Sequence, residues 1–159
     1  MSEGVHASFD IVSASGFFRR VVLVDYHDFL EQKTDSRRAI HAALSAWHLH
    51  EWVHESQRGT DGYPFRTARA FGTHIRERCS PLGALRDISN GSKHVRATQN
   101  PRISDTRLHR GAFSNAFSRG FDISALLISI DDGTERYFED ILTEAIEWWQ
   151  GYLEKCGLL

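Results

Sequence analysis

The chain alternates stretches that keep a helical apolar period with short stretches that break it. Between Phe17 and Gln32 the apolar positions Phe18, Val21, Val22, Leu23, Tyr26, Phe29 and Leu30 predict a first helix. Its run Val21-Val22-Leu23-Val24 would also suit a strand. Asp35 or Ser36 suits the N-cap of a second helix, reaching about Ser56, with Ile40, Ala43, Leu44, Trp47, Glu51 and His54 along one side. Its alanines Ala39, Ala42, Ala43 and Ala46 leave room for another helix to approach closely. The breakers in Arg58-Gly59-Thr60-Asp61-Gly62-Tyr63-Pro64 predict a loop. A third helix follows from about Phe65 to Arg78. Ser80-Pro81 opens a fourth, which ends near Val95.

Asn100-Pro101 interrupts this pattern, and residues 96–122 read as irregular, with scattered Gly, Ser and Arg. Ile123 to Ile130 has the composition of a strand, Asp131-Asp132-Gly133 that of a turn, and Thr134 to Tyr137 that of a returning strand. From Phe138 to Lys155 the positions Ile141, Leu142, Ala145, Ile146, Trp149, Tyr152 and Leu153 recur at helical spacing. No repeat or dividing linker stands out. The expectation is a mainly α fold: one domain over residues 1–159, a bundle of about five helices with a β-hairpin, at about 121–137, inserted before the C-terminal helix.

Composition changes this picture little. Hydrophobic residues at 41% and charged residues at 25% are ordinary globular values. No apolar run approaches the ~18 residues that would span a bilayer, so no membrane partner is expected. Glu3 stands where a secretory signal would be basic, and Cys79 and Cys156 lack metal or redox spacing. The expectation is a cytoplasmic protein with two reduced thiols.

Charge is more telling. The net charge of −2 hides three blocks. Residues 1–57 carry 5 Lys/Arg against 8 Asp/Glu, residues 58–119 carry 12 against 4, and residues 120–159 carry 2 against 9. Of the 19 basic residues 16 are Arg, the side chain suited to bidentate pairing with phosphate or carboxylate. The basic middle therefore either faces nucleic acid or pairs internally with the acidic C-terminal block.

Two motifs carry candidate chemistry. The first is Asp87-Ile88-Ser89-Asn90-Gly91-Ser92-Lys93-His94. On a helix, Asp87, Asn90, Gly91 and His94 share one face, beside an apolar stripe. Such a face either packs against a neighbour with its polar groups paired, or lines a site. The second is His50-Glu51-Trp52-Val53-His54, a literal His-Glu-x-x-His. It resembles the zincin metalloprotease motif, in which two His one turn apart bind zinc and the Glu is general base. A catalytic zinc also needs a third protein ligand, and His74, Glu77 and His94 are the next candidates. The segment Glu51 to His54 equally matches the Glu-x-x-His of metal-binding helical bundles.

Arg86 followed by a polar residue and then His94, on a helix of a bundle, resembles the HEPN family. That resemblance implies a dimeric helical bundle, RNA as a partner, and metal-independent RNA cleavage in a toxin or defence setting. Arg86 would bind phosphate, His94 would be the acid or base, and Asp87 and Asn90 would orient it. Seven residues separate Arg86 from His94, more than in that family. The segments Ala46-Trp47-His48-Leu49-His50-Glu51-Trp52, Asp87-Ile88-x-Asn90-x-x-Lys93-His94, Asp132-Gly133 and Trp148-Trp149 are also similar to an uncharacterised family of small bacterial proteins, which implies a helical bundle with a hairpin. Three functions follow: an RNA-binding or RNA-cleaving protein using Arg86, Asp87, Asn90 and His94; a zinc hydrolase using His50, Glu51 and His54; or a non-enzymatic homodimeric interaction module in which both constellations are structural.

Overall fold

In a computed structural model, residues 8–94 and 101–159 are described. The first helix, α1, is compound: α-helical Ala14–Phe17, a π-helical turn over Phe18–Val22, then α-helical Leu23–Glu31. The amide of Leu23 donates to the carbonyl of Phe18, five residues back, which marks the π turn. The helix option for Val21 to Val24 thus holds, because Val22 points into the core from this element. Ser13 caps its start by accepting from Gly16 N at 2.9 Å.

Helix α2 spans Ser36–Gln57, and the Asp35 carboxylate caps it by accepting from Arg37 N and Arg38 N. This helix is the axis of the bundle. Ala39, Ala42, Ala43 and Ala46 are buried, and their small side chains admit α1 on one side and the last helix on the other. Ala46 shows how close that approach is: its carbonyl accepts a hydrogen bond from the buried Trp149 indole at 2.8 Å. Helix α3 is Ala68–Arg78, shorter than expected, because Thr67 rather than a residue near Phe65 supplies the cap. Helix α4 is Ser80–His94. Its expected end near Val95 lies outside the described residues.

The sheet departs from the expected hairpin. It has three antiparallel strands in the order β1-β2-β3: β1 Ile103–His109, β2 Ala125–Ile130 and β3 Glu135–Tyr137. Strand β1, read from sequence as irregular, pairs with β2 from His109↔Ala125 to Ile103↔Ile130, with an irregularity between Ile103 and Asp105. The β2–β3 turn is built as the sequence suggests, with Gly133 at φ 86° and Asp132 Oδ1 accepting from Thr134 N at 2.8 Å. Helix α5, Phe138–Lys155, follows β3 directly and packs beneath β2 and β3. Phe138, Ile141, Leu142, Ile128 and Phe29 join one core there, with Phe29 and Phe138 edge to face at 5.0 Å. No helix among the described residues is long and apolar enough to cross a membrane.

Polar ties brace the bundle around this core. Arg38 Nη1 donates to the Asp28 carbonyl at 2.8 Å and meets its carboxylate at 2.9 Å, joining α2 to α1. Tyr26 and Thr143 share a hydrogen bond at 3.0 Å, and Lys33 pairs with Glu139 at 2.8 Å, joining α1 to α5. The basic and acidic blocks do meet: Arg107 pairs with Glu135, and Arg119 with Asp140 and Glu139.

Gly111 marks where the chain leaves β1. A Cβ there would run into the Asp122 carbonyl and the Ile123 backbone on the returning chain. Gly111→Ala is therefore expected to lower stability by about 1–3 kcal/mol, the range for an overpacked site, read as a shifted urea midpoint.

Candidate functional site

The octapeptide does not form one site. Asp87 lies on the buried face of α4, where it is 1% exposed. Its Oδ2 accepts from Arg102 N at 2.5 Å and Ile103 N at 3.4 Å, and its Oδ1 pairs with Arg86 Nη1 at 3.2 Å. Both carboxylate oxygens are thus engaged: Oδ2 fastens the start of β1 onto α4, and Oδ1 is held by Arg86 of α4 itself. Arg102 reinforces this contact, because its side chain lies across Gly83, where a Cβ would stand 3.0 Å from Arg102 Cδ.

The other members point elsewhere. Asn90 is half-buried and makes no hydrogen bond among the described residues. Gly91 faces open space: a Cβ there would meet nothing within 4 Å. Of the two readings of that face, packing by a neighbour or lining a site, no described element supplies the first at this glycine. His94 is exposed in the last turn of α4, and the helical rise sets it about 12 Å along the axis from Arg86. Asp87, Ile88, Gly91 and Ser92 instead form one wall of a trough of about 580 Å³, with Ile40 of α2 and Ile103 to Thr106 of β1 opposite.

The His-Glu-x-x-His residues are also separated by their surroundings. His50 is buried, with Nδ1 donating to the Trp47 carbonyl at 2.6 Å and its ring 4.2 Å from that of Trp47. That bond fixes the proton on Nδ1, and Nε2 is pressed beneath Gly72, whose absent Cβ would lie 3.2 Å away. Burial first of all pushes the His50 pKa down, so the ring is neutral, although the Trp47 bond works in the opposite direction. His54 Nδ1 meets the Tyr63 hydroxyl at 2.9 Å, and Tyr63, pushed up to about 12 by burial, keeps its proton. Glu51 is exposed on the outside of α2. The His74 ring lies tilted against Phe65, with centroids 4.8 Å apart. Among the described residues no three His, Cys, Asp or Glu side chains come close enough to hold a metal ion. The zinc set of His50, Glu51 and His54 is therefore not assembled, and both cysteines are free thiols.

The structure presents a different feature, in the segment between β1 and β2. There the chain does contain a short repeat: Ala112-Phe113-Ser114-Asn115, then Ala116-Phe117-Ser118-Arg119, then Gly120-Phe121. Each repeat closes a turn, with Phe117 N donating to Ser114 O at 3.1 Å and Phe121 N to Ser118 O at 3.0 Å. The turns bring Phe113, Phe117 and Phe121 together, with ring centroids 5.0 to 5.8 Å apart. Yet the rings are 40%, 50% and 50% exposed. The spacing of four was a legible signal, but taken alone it reads as a helical stripe.

Carboxylates clamp this aromatic triad in place. His109 Nε2 meets Asp122 Oδ1 at 2.6 Å, and Asp122 Oδ2 accepts from Ala112 N at 3.1 Å. Those two bonds, His109 first, hold the Asp122 carboxyl below the usual range. Arg119 grips Asp140 through Nη1 at 2.7 Å and Nη2 at 2.8 Å, while its guanidinium carbon sits 4.1 Å over the Tyr137 ring.

No family model matches the chain, and no curated protein or solved structure matches it.

Two measurements check the assignments of Asp87 and His50. Asp87→Ala strands two backbone donors and Arg86, and is expected to cost about 3 kcal/mol or more, whereas Asn90→Ala costs under about 1 kcal/mol. Denaturant melts of both variants decide this. His50 is neutral when folded but takes up a proton near the ordinary imidazole value of about 6.5 when unfolded. The unfolded state then binds more protons, so stability is full above that pH and declines as pH falls below it. His50→Asn keeps a donor for the Trp47 carbonyl and is expected to flatten that part of the pH profile.

Proposed function

We propose that the chain is a non-catalytic interaction module, a helical bundle that holds a small sheet and its aromatic loop in a fixed pose. The observation that carries this reading is the Asp87 carboxylate, buried and fully engaged by Arg86 and two backbone amides. It cannot also orient His94. Metal-independent RNA cleavage of the kind the HEPN resemblance implies needs an Arg and a His on the same phosphodiester. Arg86 and His94, about 12 Å apart along α4, do not offer that pair. Among the described residues no three metal-ligating side chains come together around His50 and His54, which speaks against the hydrolase reading.

One observation favours a second reading, RNA binding without cleavage. Arg76, Arg86 and Arg102 gather around Asp87 closely enough that, after burial, repulsion from Arg86 and Arg102 pulls the Arg76 pKa down. Asp87 and Glu77 oppose that repulsion. With Arg86 held by Asp87, Arg76 and Arg102 are the guanidinium groups left to hold phosphates.

Incubated with single-stranded RNA, the wild type is expected to leave it intact. Cleavage that disappears in His94→Ala would overturn the non-catalytic reading. The RNA-binding reading expects a log–log slope of affinity against salt of about −1.4 for two phosphate contacts, shallower by about 0.7 in Arg102→Ala. Salt-independent binding, or none, removes it.

A further inference from the structure

Strand β1 is seven residues long and pairs on one side only; its other edge has no strand beside it among the described residues. Such an edge presents unpaired amide and carbonyl groups and is a template for a further strand. What blunts it is the charge on Asp105 and Arg107 and an irregularity confined to the Ile103/Asp105 end; the stretch holds no Pro and no Lys.

The charges on β1 say which strand it fits. Thr106 and Leu108 lie opposite Ile128 and Leu126 on the core side. Asp105 and Arg107 therefore share the outer face. The Asp105 carboxylate makes no ion pair or hydrogen bond among the described residues and feels only the charge of Arg107 on its own strand. Suppose two copies of β1 pair antiparallel about a two-fold axis at Thr106. Asp105 of each copy then stands directly opposite Arg107 of the other. Moving the axis by one residue places Arg107 against Arg107, or Asp105 against Asp105, which is unfavourable. The sequence Asp105-Thr106-Arg107 is thus complementary to itself in one register.

The same axis brings the remaining exposed features together. The His109 end of one strand leads into the Phe113, Phe117 and Phe121 triad. Antiparallel pairing sets that end beside the Ile103 end of the other copy, where the trough walled by Ile40, Ile88 and Gly91 opens. Three half-exposed phenyl rings offer roughly 300 Å² per copy, well under the ~800 Å² per partner of a stable interface. The triad alone is too small for a dimer interface, and the adjoining strand edge extends it. Arg107 also reaches Glu135, but that pair is half-exposed and of small worth, so Arg107 remains able to meet a second carboxylate, whereas His109 and Arg119 are held within the loop by Asp122 and Asp140.

We propose that the free edge of β1, together with the Phe113–Phe117–Phe121 triad, is a homodimer interface in which two copies form a continuous six-stranded sheet about Thr106. The inference rests on the interaction-module reading and names its partner as a second copy of this chain.

Light scattering coupled to size exclusion tests it. The wild type is expected to run as a dimer. Asp105→Arg alone places Arg against Arg, and Arg107→Asp alone places Asp against Asp, so each is expected to run as a monomer. Mixed in equal amounts, the two variants regain opposite charges at both contacts and are expected to form a dimer again. Phe117→Ser is expected to weaken the wild-type dimer at least tenfold. Far-UV circular dichroism confirms that each variant is folded, and the mixture distinguishes lost complementarity from lost structure. A monomeric wild type, or a dimer unchanged by both single charge variants, overturns the proposal. RNA cleavage lost in His94→Ala would instead overturn the underlying reading while leaving the dimer measurement intact.

Discussion

One buried carboxylate decides where the sheet begins. Asp87 sits on the inward face of α4 and cannot remain charged there without partners. The Arg102 and Ile103 amides and the Arg86 guanidinium supply them. Those amides belong to the first residue of β1 and the one before it, so the bond that satisfies the carboxylate also sets the position of the strand along the helix. From that fixed start β1 runs out beside β2, and the 110–122 loop is carried to the far end of the sheet. The Arg119 grip on Asp140 then returns the loop to the first turn of α5, where a carboxylate is already favoured by the helix dipole. The sheet is thus held at both ends by charge-assisted bonds to helices, with its apolar contacts to Phe138 and Ile141 between them.

The helices were legible because each buries one face with its own local period. Helix α5 runs over the residues its apolar spacing marks, and α2 starts at the cap its Asp35 announces. Strand β1 was not legible. Ser104, Asp105, Thr106 and Arg107 are all exposed, so no apolar alternation labels them. Their extended state comes from pairing with β2, some twenty residues away, and such non-local pairing overrides composition. Thr67 outcompeted the apolar start at Phe65 for the cap of α3 for a similar reason: Phe65 is drawn into contact with Tyr63 and Phe71 rather than into the helix.

The candidate sites misled in an instructive way. Asp87 was correctly marked as special, but its partners are backbone amides, which carry no residue identity and cannot be read from a sequence. His50 and His54 have the spacing of metal ligands, yet spacing does not say where the second ring nitrogen goes. A carbonyl three residues back took one imidazole, and a tyrosine from the next loop took the other. Glu51 turned outward because α2 buries the alanine side of its circumference. Polar residues on a helix interior were therefore used to fix geometry, and the features available to a partner were displaced to the segment that sequence reading left irregular.

That displacement has a physical logic. A surface that binds must be both exposed and ordered before contact, since ordering on contact detracts from affinity. Exposed phenyl rings on an unrestrained loop would collapse against the nearest apolar surface. Here three constraints oppose collapse: two successive turns closed by Ser114 and Ser118 carbonyls, the His109–Asp122 pair across the loop base, and Arg119 spanning to α5. Each engages a charge or a backbone amide that would otherwise compete for the partner. What the loop leaves uncompensated is apolar area, and what β1 leaves uncompensated is a hydrogen-bonding edge. In the proposed dimer a second copy of the chain supplies a match to both, with Asp105 and Arg107 selecting the register.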